Sequence, residues 1–174
     1  MALREVLKFP DRRLAEVSEP IEEVTDEIRV LARDMLDVMY DEPGIGLAAP
    51  QVGETIRLIV VDTEWTEEGA EKSPLVLVNP EIVQREGELT WTEGCLSVPE
   101  YYAKVNRSTD VKVRFQDLDE RSHVIEAHGL TAVACQHEID HLDGILFVDH
   151  LSPLKRSMFR KKWKKIQEHL TEQM

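Results

Sequence analysis

The stretch "ACQHEIDHLDG", residues 134–144, places His137 and His141 four residues apart, with Glu138 directly after the first. Residues four apart are neighbours on one face of an α-helix, so two such imidazoles can reach one ion through metal–nitrogen bonds of about 2.0–2.1 Å. Glu138 is turned by about 100° from His137 around such a helix, beside the ligand face rather than on it, which suits a general base. This is chemistry a metal-dependent hydrolase uses, but two protein ligands do not make its site. The competing reading is a charged helix with incidental histidines. Against it, Leu130, Val133, Ala134, His137 and His141 recur at helical spacing, so both histidines share the apolar stripe and point inward.

Several residues compete for the third position. Zinc peptidases that extend this motif carry a third histidine six residues past the second, after a glycine three past it. Gly144 is present, but position 147 is Phe147. Glu168 and Glu172 are carboxylates on a later helix, yet they sit in a basic tail. His150 lies beyond the expected helix end, where a surface or supporting histidine is the simpler reading. Upstream, "TEGCLSVPE" (92–100) offers Cys95 on a short extended segment, although taken alone a free cysteine reads as a small buried apolar residue. Cys135 points to another helix face and keeps that packing role. A third stretch, "PGIGLAAPQVG" (43–53), has glycines spaced for a turn that brings backbone close to another group. Two small alanines follow, then Gln51, an amide able to donate to an oxygen. By itself it is an ordinary Gly-rich turn, and it lacks the lysine and spacing of a phosphate loop.

The elements that must position these residues are partly readable. Thr25, followed by Asp26 and Glu27, is an N-cap for a helix in which Ile28, Leu31, Met35, Leu36 and Met39 recur at helical spacing to about Tyr40. "IRLIVVD" (56–62) and "LVLVN" (75–79) read as well-buried strands, and the alternating "VKVRF" (111–115) as a half-buried one. A last helix, at about 154–170, carries Phe159, Trp163, Ile166 and Leu170 along one side. Short strands followed by helices predict an α+β fold with antiparallel sheet. With no internal repeat and no long linker, residues 1–174 form a single expected domain, long enough to bury a core without disulfides.

Composition narrows the function classes. The chain carries a net charge of −13, but Lys155, Arg156, Arg160, Lys161, Lys162, Lys164 and Lys165 outnumber Glu168 and Glu172 in the tail. The acidic body argues against free DNA as a partner, whereas the tail can meet phosphates locally or simply form a solvated amphipathic helix. No apolar run approaches the ~20 residues that cross a bilayer, and "MALREVLKFPDRRL" is too charged for a secretory signal. Cys95 and Cys135 suit a reducing cytoplasm better than a disulfide framework.

Taken in order, "GIGLAAPQ", "EGCLS" and "QHEIDHLDG" resemble the signature motifs of bacterial peptide deformylases, and the similarity runs from "VLKFPDRRL" through "LSPLKR". The resemblance implies antiparallel sheets around a central metal-binding helix, with a C-terminal amphipathic helix. It implies removal of the formyl group from the N-terminal formyl-methionine of nascent polypeptides, in the cytoplasm and by a monomer. By resemblance, Cys95, His137 and His141 are the metal ligands and Glu138 is the catalytic acid/base, while Gln51 and the Leu96 backbone N–H bind the oxygen of the tetrahedral intermediate. Ile45, Gly46, Glu93, Gly94, Leu130, Val133 and Ala134 line the substrate site; the methionine side chain lies among Ile45, Glu93, Leu130, Val133 and Ala134, and the chain after it pairs near Gly46 as an added strand. The ion implied is Fe2+ in the cell, with Zn2+ or Ni2+ tolerated, and the basic helix implies docking on the ribosome.

Two positions depart from the family pattern. Trp91 replaces a smaller aliphatic residue near the methionine pocket, and Tyr102 stands where many members have arginine near the substrate's path. Preference for the residues after methionine is therefore expected to be shifted or narrowed. Arg107 can pair with Glu93 and fix the Cys95 segment, or be an exposed arginine. Two other functions compete: a zincin-like endopeptidase that does not use Cys95, and an inactive protein with a closed structural metal site or none.

Overall fold

A computed structural model describes residues 3–66 and 68–172. Met1 and Ala2 of the N-terminal reading and Gln173 and Met174 of the tail lie outside the described residues. Helix α1 (Asp26–Asp41) starts where the sequence predicts: Thr25 Oγ1 accepts a hydrogen bond from Ile28 N, and Asp26 and Glu27 occupy the first turn, where the helix dipole favours negative charge. Among the described residues seven strands follow: β1 (Gly46–Ala48), β2 (Leu58–Val61), β3 (Leu75–Glu86), β4 (Leu89–Cys95), β5 (Val98–Arg107), β6 (Asp110–Gln116) and β7 (Ser122–His128). Helix α2 (Gly129–Leu142) carries the histidines, and α3 (Pro153–Glu172) is the basic helix. The strands form a five-stranded sheet, ordered β1-β2-β3-β6-β7, and a separate β4-β5 hairpin; every strand pair is antiparallel. The fold is α+β, with antiparallel sheets and a C-terminal helix.

The unbroken apolar run of β2 follows from burial on both faces. Leu58 and Val60 join Leu31, Met35, Val38 and Met39 of α1 in one core, while Ile59 and Val61 join Ala132, Cys135, Ile139 and Leu142 of α2 in another. Each such side chain removed from water contributes about 1.5–3 kcal/mol. A third core packs the hairpin against α3 through Val98, Val105, Phe147, Leu151, Phe159 and Trp163. Phe159 stands 5.4 Å from Phe9 and 4.6 Å from Tyr101, ring centre to ring centre, so two aromatic anchors hold an otherwise exposed basic helix.

Helix α2 differs from the single inward stripe predicted. It is enclosed on nearly every side, with Ala132 through Ile139 all buried along with His141 and Leu142. Small residues make that enclosure possible, because alanines let the sheet approach closely. Gly144 ends the helix at φ +74°, and a Cβ there would meet the Ala15 carbonyl at 2.5 Å. Its role is to turn the chain in a crowded place.

Candidate metal centre and cleft

Cys95 closes strand β4 at the tight end of the hairpin, directly over the buried face of α2. Its Sγ lies 3.4 Å from His141 Nε2, and the ligand atoms of Cys95, His137 and His141 all lie within 4.8 Å of one another. Two atoms each about 2.1–2.3 Å from one ion at a tetrahedral angle stand roughly 3.5 Å apart, the spacing of the Cys95–His141 pair, and the three groups together could hold a single divalent cation. Among the described residues no other cluster of three such groups occurs. His150 instead bonds Asp140 at 2.8 Å, and Glu168 and Glu172 lie on exposed positions of α3, so none of these alternatives joins the histidines.

The histidines are held differently. His137 Nδ1 bonds Glu93 Oε1 at 2.8 Å, which leaves Nε2 as the nitrogen able to meet a cation. Glu93 is gripped in turn by Arg107, through Nε to Oε2 at 2.7 Å and Nη2 to Oε1 at 2.8 Å, and Arg107 Nη1 reaches Asp140 at 2.6 Å. The pairing of Arg107 with Glu93, one of two readings open in the sequence, is the one the fold adopts, with both side chains buried. Burial alone would raise the Glu93 carboxyl, but the hydrogen bonds from Arg107 and His137 outweigh it and hold the carboxyl below its usual range. Burial would lower His137, yet the negative charge of Glu138, Cys95 and Glu93 around it pushes it well up. His141 goes the other way: burial, then the charge of His137, outweigh the negative charge of Asp140 and push it well down, and its Nδ1 is buried without a partner among the described residues. An imidazole that burial keeps from protonation, beside a thiol and two carboxyl groups, is a donor set that a cation can satisfy.

Glu138 is 5 % exposed and its Oε1 has no hydrogen-bond partner among the described residues. Burial, only partly offset by His137, pushes its carboxyl up to about 7. Gly46 lies directly over it, and a Cβ there would come within 2.6 Å of Glu138 Oε2. The glycine therefore keeps the space into which this carboxylate points. Gln51 is 1 % exposed and fixed at both ends of its amide: Oε1 accepts from Ala48 N at 2.9 Å, and Nε2 donates to Ser97 Oγ at 3.1 Å and lies 3.6 Å from Cys95 Sγ. One N–H is directed at the serine and the other at the Cys95 sulfur.

These groups open onto one cleft of about 480 Å³, lined by Ile45, Gly46, Gln51, Glu93, Gly94, Cys95, Leu96, Leu130, Val133, Ala134, His137 and Glu138. Every candidate substrate residue reaches it, while His141 lies behind, fully buried. Glu93 differs from the expectation in detail, since its carboxylate is taken up by Arg107 and His137. Trp91 and Tyr102 stand at the cleft's mouth, 42 % and 68 % exposed. The sequence reading missed the N-terminal strap: Leu7 N donates to Gln51 O, Phe9 N to Ser97 O and Lys8 Nζ to Leu96 O. It also missed Ser97, whose only signal was a hydroxyl interrupting an apolar run.

Comparison with known proteins agrees with the motifs. The family model for polypeptide deformylases matches residues 3–157. A peptide deformylase of Rhodopseudomonas palustris (strain BisB5) is 54% identical over 166 residues, covering 95% of each chain. The crystal structure of a peptide deformylase from Legionella pneumophila superposes with a TM-score of 0.89 at 44% identity, covering 98% of both chains. One from Ehrlichia chaffeensis, in complex with actinonin, gives 0.87 at 38% identity, over 95% of this chain and 98% of that one.

Proposed function

The chain belongs to the peptide deformylase family, a metal-dependent hydrolase that removes the formyl group from N-terminal formyl-methionine of nascent polypeptides and releases formate; from that premise we propose how its own residues divide the work. Cys95, His137 and His141 hold the divalent metal, and the single observation that carries this assignment is the convergence of their ligand atoms within 4.8 Å. When bound, the ion supplies a Lewis acid that polarises the formyl carbonyl and makes water acidic enough to attack near neutral pH. Glu138 takes the proton of the attacking water and delivers it to the departing amine, a task suited to a carboxyl poised near neutrality. Gln51 Nε2 and the Leu96 N–H donate to the oxygen on which charge develops, and losing one such donor typically costs ~10²–10³ in rate.

Glu93 and Arg107 act on the metal through His137. Arg107→Lys keeps the charge but loses the two-pronged grip, freeing Glu93 and with it the imidazole. Metal affinity, measured by competition with a chelator, is expected to fall about 10–100-fold, with the fold intact by circular dichroism. Unchanged affinity would remove this orienting role.

The substrate's methionine occupies the pocket of Ile45, Leu130, Val133 and Ala134, beside Glu93 and Gly94, and the chain after it adds to the open edge of β1 at Gly46, which among the described residues is paired only with β2. Discrimination against acetyl must be steric, since one methyl is worth only about 1–3 kcal/mol of attraction; the close approach of Gly46 to Glu138 supplies such a wall. The metal in the cell is Fe2+, with Zn2+ or Ni2+ acceptable to the same sulfur and nitrogen donors.

Residues 1–174 work as one cytoplasmic, monomeric domain, in keeping with a chain whose described residues include no helix long and apolar enough to cross a membrane. The exposed basic face of α3 docks on the ribosome. Removal of residues 155–174 should abolish co-sedimentation with ribosomes, and raised salt should weaken it steeply in the intact chain; binding indifferent to both would contradict that role. For the activity itself, protein purified without oxygen should carry close to one divalent metal per chain and release formate from a formyl-methionyl peptide. No formate from metal-loaded protein would overturn the assignment.

A further inference from the structure

The connection between β2 and β3 takes no part in the chemistry above, yet it is tied to both walls of the cleft. Asp62 N donates to Ile45 O at 2.9 Å, Thr63 Oγ1 meets Thr131 Oγ1 at 2.7 Å beside Leu130, and Trp65 Nε1 donates to Gly44 O at 3.0 Å. Trp65 is itself held in place. Its ring stands edge-on to Tyr40, centroids 5.1 Å apart, and Tyr40 Oη donates to Asp62 Oδ2 at 2.6 Å. The buried Asp62 carboxylate also accepts from Glu64 N and Ser73 N, and Lys72 Nζ lies 4.2 Å over the Tyr40 ring. Gly44 N donates to Met39 O at 2.6 Å, so the C-terminal turn of α1 fixes one side of this glycine and the indole fixes the other.

We propose that Trp65 is a positioning residue for substrate binding: by holding the Gly44 carbonyl, its indole N–H preforms the Gly44–Ile45–Gly46 segment as the strand edge on which the peptide after methionine lies. The inference rests on the reading that substrate adds to this edge. A segment bracketed by two glycines has wide conformational freedom, and ordering it at the moment of binding would weaken affinity. A preformed edge avoids that cost. The benefit belongs to substrates long enough to use the edge and appears in KM rather than in kcat.

The test is Trp65→Phe, which keeps a ring against Tyr40 but removes the donor together with part of the indole's bulk; the two substrates separate the one loss from the other. For a formyl-methionyl tripeptide, KM is expected to rise about 3–10-fold, the worth of one ordinary hydrogen bond, with kcat within about twofold. For formyl-methionine itself, which has no following residues, KM should change less than about twofold. KM values at wild type for both substrates in Trp65→Phe overturn the proposal; so does an equal rise for both, the result that lost packing alone would give. The premise is read separately in the wild type: a KM no lower for the tripeptide than for formyl-methionine removes edge pairing, and the inference with it. Should Trp65→Phe not fold, hydrogen exchange of the Trp65 indole proton in the wild-type protein decides. Slow exchange is expected, and exchange at the rate of a free indole would overturn the proposal.

Discussion

Glu138→Gln is expected to bind its metal normally and to lose about 10²–10⁴-fold in kcat, the usual worth of a placed general acid–base group. The substitution is isosteric, so the packing beneath Gly46 survives. What disappears is the capacity to accept a proton. Because that capacity acts as the transition state forms, kcat and kcat/KM should fall together while KM changes little. The pH profile gives a second readout. Burial pushes the Glu138 carboxyl up to about 7, so as pH falls through that value the group becomes protonated and can no longer serve as base. A cation on the neighbouring ligands pulls the value down, so the acidic limb of the wild-type profile should lie at or below about pH 7. Glu138→Gln should abolish that limb along with most of the rate. A metal-loaded Glu138→Gln protein with full activity would eliminate the proposed base.

The second large effect is expected at Cys95. Cys95→Ala leaves two imidazoles to hold the ion, and the metal should be lost on dialysis, with formate release falling to background. The same substitution separates the competing enzyme: an endopeptidase that relied on other ligands would keep its metal. Cys95 sits at the end of a hairpin whose strands stay paired without its sulfur, so the thermal midpoint of the metal-free protein should change little. Stoichiometric metal in Cys95→Ala would show that sulfur is dispensable.

How much of this could be seen in the chain alone depends on the range of the interactions involved. The pattern Leu130, Val133, Ala134, His137, His141 is local, so helical spacing revealed the inward histidines. Likewise β2 was legible, because burial on both faces demands an unbroken apolar run. By contrast β1 is three residues long and made of Gly, Leu and Ala, and it reads as a turn until β2 pairs with it. Strands β4, β5 and β7 were not recognised. Their exposed sides carry Thr, Glu, Lys and His, and their order comes from partners across the sheet. The enclosure of α2 was hidden for a related reason, since alanines bury well without announcing a second apolar face.

The same limit governs the site. Spacing pointed to two candidate ligands and a candidate base, but nothing in spacing links a cysteine at the end of β4 to histidines on α2; that link came through the motif resemblance. The chain from His137 through Glu93 and Arg107 to Asp140 and His150 joins four separate segments, and only the Glu93–Arg107 step was foreseen. Lys8 and Phe9 were invisible as site residues, because their partners are backbone carbonyls of the hairpin turn.

The shared site is tested most directly by X-ray absorption at the edge of the bound metal. The expected first shell contains one sulfur at about 2.3 Å and two imidazole nitrogens at about 2.0–2.1 Å, with the sulfur absent in any metal that Cys95→Ala still retains. A wild-type shell of nitrogen and oxygen only would contradict the assignment of Cys95 and the mechanism built on it.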